Sequence, residues 1–206
     1  MDIQNITIFV DGPTEKGSLE TYFHKHNGKS PKFAYGPGNG IKYSAESYAK
    51  NVTGHIIYAL SSSSYAIILI PDLEKRHTKL NITCSMFGTQ IKDAIISEII
   101  SKTKFSKEYL KSVIYVCPSD IMFENWIVCD IKGISKSTLL NKNCKQSNFD
   151  GQNGAHLLTK LMQPNKYKKT VHARQLFKMV NPDIGIINSA SYKCFMSAVQ
   201  SLIKTK

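Results

Sequence analysis

Apolar residues along this chain come in two rhythms. Mainly apolar stretches of strand length are "QNITIFV" at 4–10, "YAIILIP" at 65–71 and "SVIYVCP" at 112–118, the middle one unbroken. The middle run in particular has the texture of a central parallel strand covered on both faces. Between the runs the spacing shifts to that of amphipathic helices. "TEKGSLETYFHKH" predicts a helix with Thr14 as N-cap and Glu15 in its first turn. Ser44 is expected to cap a helix from 45 to 60, with Ala45, Tyr48, Ala49, Val52, Ile56 and Ala59 on one face. A third helix is expected over 89–103, with Ile91, Ala94, Ile95 and Ile99 inward. "PKFAYGPGNG" reads as a short strand and a glycine-rich turn, "SSSS" as a turn, and 77–88 as a loop.

Strands alternating with helices predict an α/β fold, a mainly parallel sheet flanked by helices. From Lys132 the texture changes to a polar stretch rich in Ser and Asn. Helical spacing returns at 154–163, at 170–180 (His172, Leu176, Phe177, Val180) and at 190–203. The expected organisation is therefore a core over 1–131 and a basic helical extension over 132–206 packed against it. No internal repeat is present.

The chain has 206 residues, 42% of them hydrophobic, enough for one sizeable core. No run approaches the roughly 18 to 20 apolar residues of a membrane span. The N-terminus enters a strand directly and does not resemble a secretory leader. Five isolated cysteines without a CxxC pair read as reduced thiols, so a cytoplasmic location is expected. The histidines show no zinc-ligand spacing with them. The net charge is +12, and 13 of the basic residues lie beyond 131 against only Asp150 and Asp183. Such asymmetry points to a polyanion, most often nucleic acid, with a solvated basic surface as the plain alternative. The cations singled out are Lys75, Arg76, Lys166, Lys168, Lys169 and Arg174. Tyr167 stands among the last four, where it could stack on a base.

Acidic residues follow each buried run: Asp11 and Glu15, Asp72 and Glu74, then Glu124 in "DIMFENWIVCDI". In parallel sheets ligands gather beyond the carboxyl ends of the strands. Oxygen-only ligands suit a hard cation, Mg²⁺ or Mn²⁺. In an extended segment Asp72 and Glu74 would project to one side. Any single acid has a simpler role as a cap, or as a partner of Lys16, Lys75 or Arg76. For three strand ends together that role is less economical. Glu124, in so apolar a helix, needs a metal or a buried partner.

These residues carry a resemblance. "VDGPTE" resembles the "EGxTE" signature of TOPRIM domains in OLD-type nucleases and RloB-like bacterial defence proteins. "IILIPDLE" is similar to the second TOPRIM motif, a strand ending in "DxD". "FENWIVCD" resembles the "FExW" helix of small TOPRIM-like families. The C-terminal stretch from "KLMQPNKYKKTVHARQLFKMVN" to "SASYKCFMSAVQSL" is similar to their tail, a "Y-x-K" helix and a closing helix. The resemblance implies a TOPRIM/Rossmann-like fold and a Mg²⁺-dependent nuclease cutting RNA or DNA. It also implies a role in anti-phage defence with an ABC-type ATPase partner. Asp11, Glu15, Asp72, Glu74 and Glu124 match motif positions and are the implied catalytic and metal-binding residues. Asp11 replaces the family glutamate and Glu74 the last acid of "DxD". A catalytically inactive binding or scaffold subunit of an ATPase complex is the alternative. "FVDG" also opens PIN/NYN nucleases and haloacid-dehalogenase phosphatases, but Pro13 stands where the latter need a second Asp.

Overall fold

A computed structural model describes residues 2–37, 44–74, 76, 81–141, 144 and 148–204. Most of the glycine-rich turn after residue 37, and Lys75, lie outside the described residues. Four strands, β1 (Ile6–Val10), β2 (Lys32–Tyr35), β3 (Ala66–Leu69) and β4 (Ile114–Val116), form one all-parallel sheet in the order β2-β1-β3-β4. The α/β class read from the sequence is the class observed.

Every residue of β1 and β3 is buried, because both faces of the sheet are covered. The pleat alternates side chains between two cores. Ile6, Ile8, Val10, Ala66 and Ile68 point to one, and Phe9, Ile67 and Leu69 to the other. The second core is closed by α2 (Ala45–Ser62), α3 (Cys84–Ile100) and α4 (Lys107–Val113), through Tyr48, Val52, Ile91, Ile95 and Leu110.

The first core is the larger. It is closed by α1 (Pro13–Asn27), by the short α5 (Glu124–Val128) and α6 (Ile131–Ile134), and by the C-terminal helices. Those helices are α7 (Gly154–Met162), α8 (Lys169–Phe177), α9 (Pro182–Asn188) and α10 (Ala190–Lys204). An aromatic cluster joins them. Trp126 stacks on Phe195 at 4.9 Å, and Phe123 lies 4.9 Å from Phe177. The Trp126 indole donates to Ser191 Oγ (2.8 Å), and the Tyr22 and Tyr192 hydroxyls meet at 2.7 Å. Residues 154–204 thus supply one wall of the main core. Among the described residues no helix is long and apolar enough to cross a membrane.

Several local expectations are corrected. Thr14 is not the cap of α1: Gly12 takes that place in extended backbone and Pro13 follows at the first helical position. Proline fits there because its fixed φ suits a helix start and its missing N–H needs no partner. α3 begins at Cys84, not 89, because the Thr83 side chain accepts from Met86 N and nucleates the turn earlier. Residues 107–113 form a helix capped by Ser106, so β4 shrinks to three residues. The "SSSS" stretch is half absorbed into α2, and α9 had no apolar period long enough to announce it.

Trp126 is fully buried and is the chain's one tryptophan. Trp126→Ala removes the stacking partner of Phe195 and leaves Ser191 without its indole donor. The expected loss is about 3–5 kcal/mol of unfolding free energy, read from the urea midpoint by circular dichroism. A loss under about 1 kcal/mol would show that the aromatic cluster does not hold α10 to the sheet.

Candidate active site at the carboxyl edge of the sheet

Strand order reverses between β1 and β3. α1 leads from β1 outward to β2, and α2 returns across the other face to β3 on the far side of β1. A crevice opens beyond the carboxyl ends of neighbours whose connections diverge in this way. β1 runs straight into Asp11, and β3 runs through Ile70 and Pro71 into Asp72. The Asp72 backbone N–H donates to Asp11 Oδ2 (3.2 Å). The Asp72 carboxylate accepts from Ser119 Oγ, and an isolated parallel bridge ties Asp72 to Ser119 beyond β4. Three strand ends therefore meet at one place.

The helix after β1 brings the next carboxylate. Glu15 lies in the first turn of α1 and is only 4% exposed. Its Oε2 is 3.1 Å from the point a Cβ on Gly12 would occupy, so glycine at the cap leaves room for the side chain. Glu15 Oε1 pairs with Lys169 Nζ at 2.6 Å, and the same ammonium lies 3.8 Å from Glu124 Oε2. Glu124 is 2% exposed, and its Oε1 accepts from the Tyr167 hydroxyl (3.2 Å). Glu124 therefore has a buried partner, one of the two roles its apolar surroundings required. α5 carries it for only five residues, entered from a tight turn at Ile121. Met122 N donates to Asp120 O across that turn, and Ile121 sits at φ 56°. A β-branched residue in left-handed backbone is strained by roughly 1–3 kcal/mol.

The surroundings oppose negative charge. Burial, helped by the charges of Glu15 and Glu74, pushes Asp11 up from the usual 3.8 to about 6, against the hydrogen bond from Asp72 N. Burial and the charge of Asp11 raise Asp72 well above its usual range, although Lys169 and Ser119 pull the other way. Burial works against the charge of Lys169, but Glu124, Glu15 and Asp72 together raise its affinity for the proton. Burial, then Glu124, keeps Tyr167 protonated. Asp11 Oδ1 is buried with no hydrogen-bond partner, and so is the Tyr48 hydroxyl from α2. Both lie within 3.2 Å of where a Cβ on Gly36 would stand. Gly36 thus leaves a small space between two unsatisfied polar atoms.

The expected site residues are placed as follows. Asp11 and Asp72 are bonded, Glu15 and Glu124 share Lys169, and the two pairs act electrostatically on one another. Glu74 acts on Asp11, but it does not follow Asp72 in an extended segment. Its φ is 52°, and its N–H donates to Ile121 O (2.6 Å), so the simple two-residue alternation is broken. Arg76 is 6% exposed, donates to the carbonyls of Asp72 and Leu73, and lies 4.4 Å over the Phe87 ring. It braces the 72–74 turn and is not displayed to a polyanion. Arg174 is exposed and donates to Thr21 Oγ1 (2.6 Å). Lys166 and Lys168 are exposed. Tyr167 faces Glu124 and is not open for stacking on a base. Lys169 belongs to the carboxylates, and Tyr48 and Ser119 join them. The spacing of Tyr167 and Lys169, two apart, was the one available signal that they share a side.

Among the described residues, no three His, Cys, Asp or Glu side chains are already gathered into a metal cage. The donor chemistry nevertheless fits a hard divalent cation. The oxygens are carboxylate, one is buried without a partner, and like charges raise proton affinity where a cation would relieve them. Comparison with protein-family models, with curated proteins and with solved structures matches nothing to this chain.

Asp11 binds its proton more tightly folded than unfolded. Its contribution to stability is therefore fully present below about pH 4 and is lost as pH rises through about 6. Asp11→Asn keeps an acceptor for Asp72 N and removes the charge. In metal-free buffer it should flatten the melting temperature against pH between 4 and 7 and raise it at pH 7 by roughly 2–5 °C. A calorimetric profile as steep as that of the unaltered protein would place the titration elsewhere.

Proposed function

We propose that the protein is a divalent-metal-dependent nuclease that hydrolyses phosphodiester bonds of RNA or DNA. In line with the resemblance, it would act in anti-phage defence beside an ABC-type ATPase. One feature carries the reading: Asp11 and Asp72 meet beyond two neighbouring strand ends, Glu15 of the first helix acts electrostatically on both, and a buried oxygen of Asp11 is unsatisfied. A fold has no structural need for so much like charge in one place, whereas phosphoryl transfer needs a cation held beside the scissile phosphate.

Asp11, Asp72 and Glu15 are the residues that would hold the cation, with Glu74 and Glu124 beside them. The bound cation supplies charge neutralisation at the phosphate oxygens. The chain's own groups do the rest. Without a cation, burial and neighbouring carboxylates raise Asp11 to about 6, and a bound cation would relieve that opposition to its charge. Lys169, held by Glu15 and Glu124, presents an ammonium that offsets charge developing on the phosphate. Tyr167 fixes Glu124 through its hydroxyl, and Ser119 fixes Asp72.

The inactive scaffold reading draws on the same lysine. Lys169 already neutralises part of the carboxylate charge, as a structural ion pair would. Titration with Mn²⁺ separates the two: the nuclease binds it and cuts, and a scaffold does neither. Glu124→Gln keeps an acceptor for Tyr167 and loses the charge. It should lower Mg²⁺- or Mn²⁺-dependent cleavage of single-stranded, duplex and transfer-RNA substrates by about 100-fold or more, with cooperative unfolding retained. Full activity in that variant would take Glu124 out of the site.

The exposed Lys166 and Lys168 flank the inward Tyr167 and are suited to phosphate contact. Replacing both with Ala should weaken binding to every sequence alike. It should also lower the slope of log affinity against log salt by up to about two, roughly one per lost contact. Unchanged slope and affinity would assign both lysines to plain solvation.

A further inference from the structure

A cavity of about 640 Å³ opens between α3, the end of β4 and α10, lined in part by Lys92, Tyr115, Pro118 and Ser197. Three of the five cysteines, Cys84, Cys117 and Cys194, also line it. They are not equivalent. Cys84 Sγ is turned to the Ser119 carbonyl, and burial pushes its thiol up to about 12, which leaves it unreactive. Cys117 and Cys194, 77 residues apart in sequence, stand with their sulfurs 3.3 Å apart. Cys117 is 2% exposed and directly follows β4, whereas Cys194 is exposed on α10. The hydrogen bond between the two sulfurs holds the Cys194 thiol down at about 7, and the same bond, with burial, raises Cys117. Lys92, whose ammonium lies 5.6 Å from the Tyr115 ring centroid, adds positive charge that favours the Cys117 thiolate.

One thiol in reach of solvent, a second directly behind it and a cavity over both make an asymmetric pair. We propose that Cys117 and Cys194 are a peroxide-reactive dithiol, in which Cys194 reduces a hydroperoxide entering the cavity and Cys117 closes an intramolecular disulfide. The Cys194 thiolate attacks one peroxide oxygen. The O–O bond breaks, an S–O bond forms, and the departing oxygen takes up a proton and leaves as water or an alcohol. Cys117 sulfur then attacks Cys194 sulfur. The S–S bond forms, and the expelled hydroxide takes the Cys117 proton and leaves as water. Two thiols lose two electrons and the hydroperoxide gains them. The sulfurs must close by about 1.3 Å to reach bonding distance, which a modest shift of α10 supplies. Closure ties the end of β4 to the helix that packs Phe195 on Trp126. The dithiol chemistry does not depend on the hydrolytic site.

The test treats the reduced full-length protein with hydrogen peroxide and with cumene hydroperoxide, then maps its peptides by mass spectrometry. The expected result is one Cys117–Cys194 crosslink with two hydrogens lost, reversed by dithiothreitol. The oxidised form should melt about 5 °C or more above the reduced form, because the bond closes a long loop. Cys194→Ser should slow peroxide-dependent thiol loss on the order of tenfold. Cys117→Ser should leave a Cys194 sulfenic acid that dimedone traps. Should that buried variant fail to fold, the crosslink map and Cys194→Ser, at an exposed position, still decide. A crosslink between molecules, Cys194 oxidised to sulfinic acid without a crosslink, or thiols unchanged by peroxide would each overturn the proposal.

Discussion

One ammonium group keeps a surplus of negative charge tolerable at the carboxyl edge of the sheet. Lys169 reaches Glu15 on the first helix and Glu124 on α5, and its charge is felt by Asp72 at the end of β3. These three acids lie at positions 15, 72 and 124, each more than fifty residues from the next. They share one place because α8, which carries Lys169, packs through Ala173, Leu176 and Phe177 into the same core as α1 and α5. The C-terminal third is therefore tied to the site in two ways, by apolar burial and by charge. Removing it would expose the first core and leave buried carboxylates without their cation, and the second effect is the costlier per group.

The arrangement also explains why the local geometry around the acids departs from regular elements. Ile121 and Glu74 both occupy left-handed backbone, and a hydrogen bond joins the two turns directly, from Glu74 N to Ile121 O. Arg76 braces the first of those turns from beneath, against Phe87. Strained backbone persists only where surrounding contacts over-determine it. Here a buried guanidinium, a strand-end bridge and an aromatic cluster do so. The turns place Asp72 and Glu124 where continuing strand and helix could not.

Much of the architecture was legible because burial on both faces leaves an unmistakable mark. "ITIFV" and "AIIL" admit no polar residue except Thr7, whose hydroxyl is satisfied by Ser64. Asp11 and Asp72 were legible as the first acids beyond those runs. The short elements were not. α5, α6 and α9 have at most seven residues, too few for a helical period to stand out from an apolar stretch. Periodicity marks Tyr48 as core, since it records which face of α2 is buried and not what the hydroxyl meets. Sequence shows Arg76 as a cation beside acids, and only the fold shows that it turns inward.

Lys169 is the most instructive case, since the sequence shows it only as one cation among several and the fold pairs it with Glu15 and Glu124. In "NKYKK" the cations look equivalent, and net charge alone assigns them to a polyanion. The backbone entering α8 is extended at Lys168, with φ −122° and ψ 112°. Alternate side chains of an extended segment face opposite ways. Tyr167 and Lys169 accordingly turn in to Glu124 and Glu15, while Lys166 and Lys168 remain in solvent. One short segment thus supplies both the inner cation that restrains the carboxylates and an outer pair of positive charges.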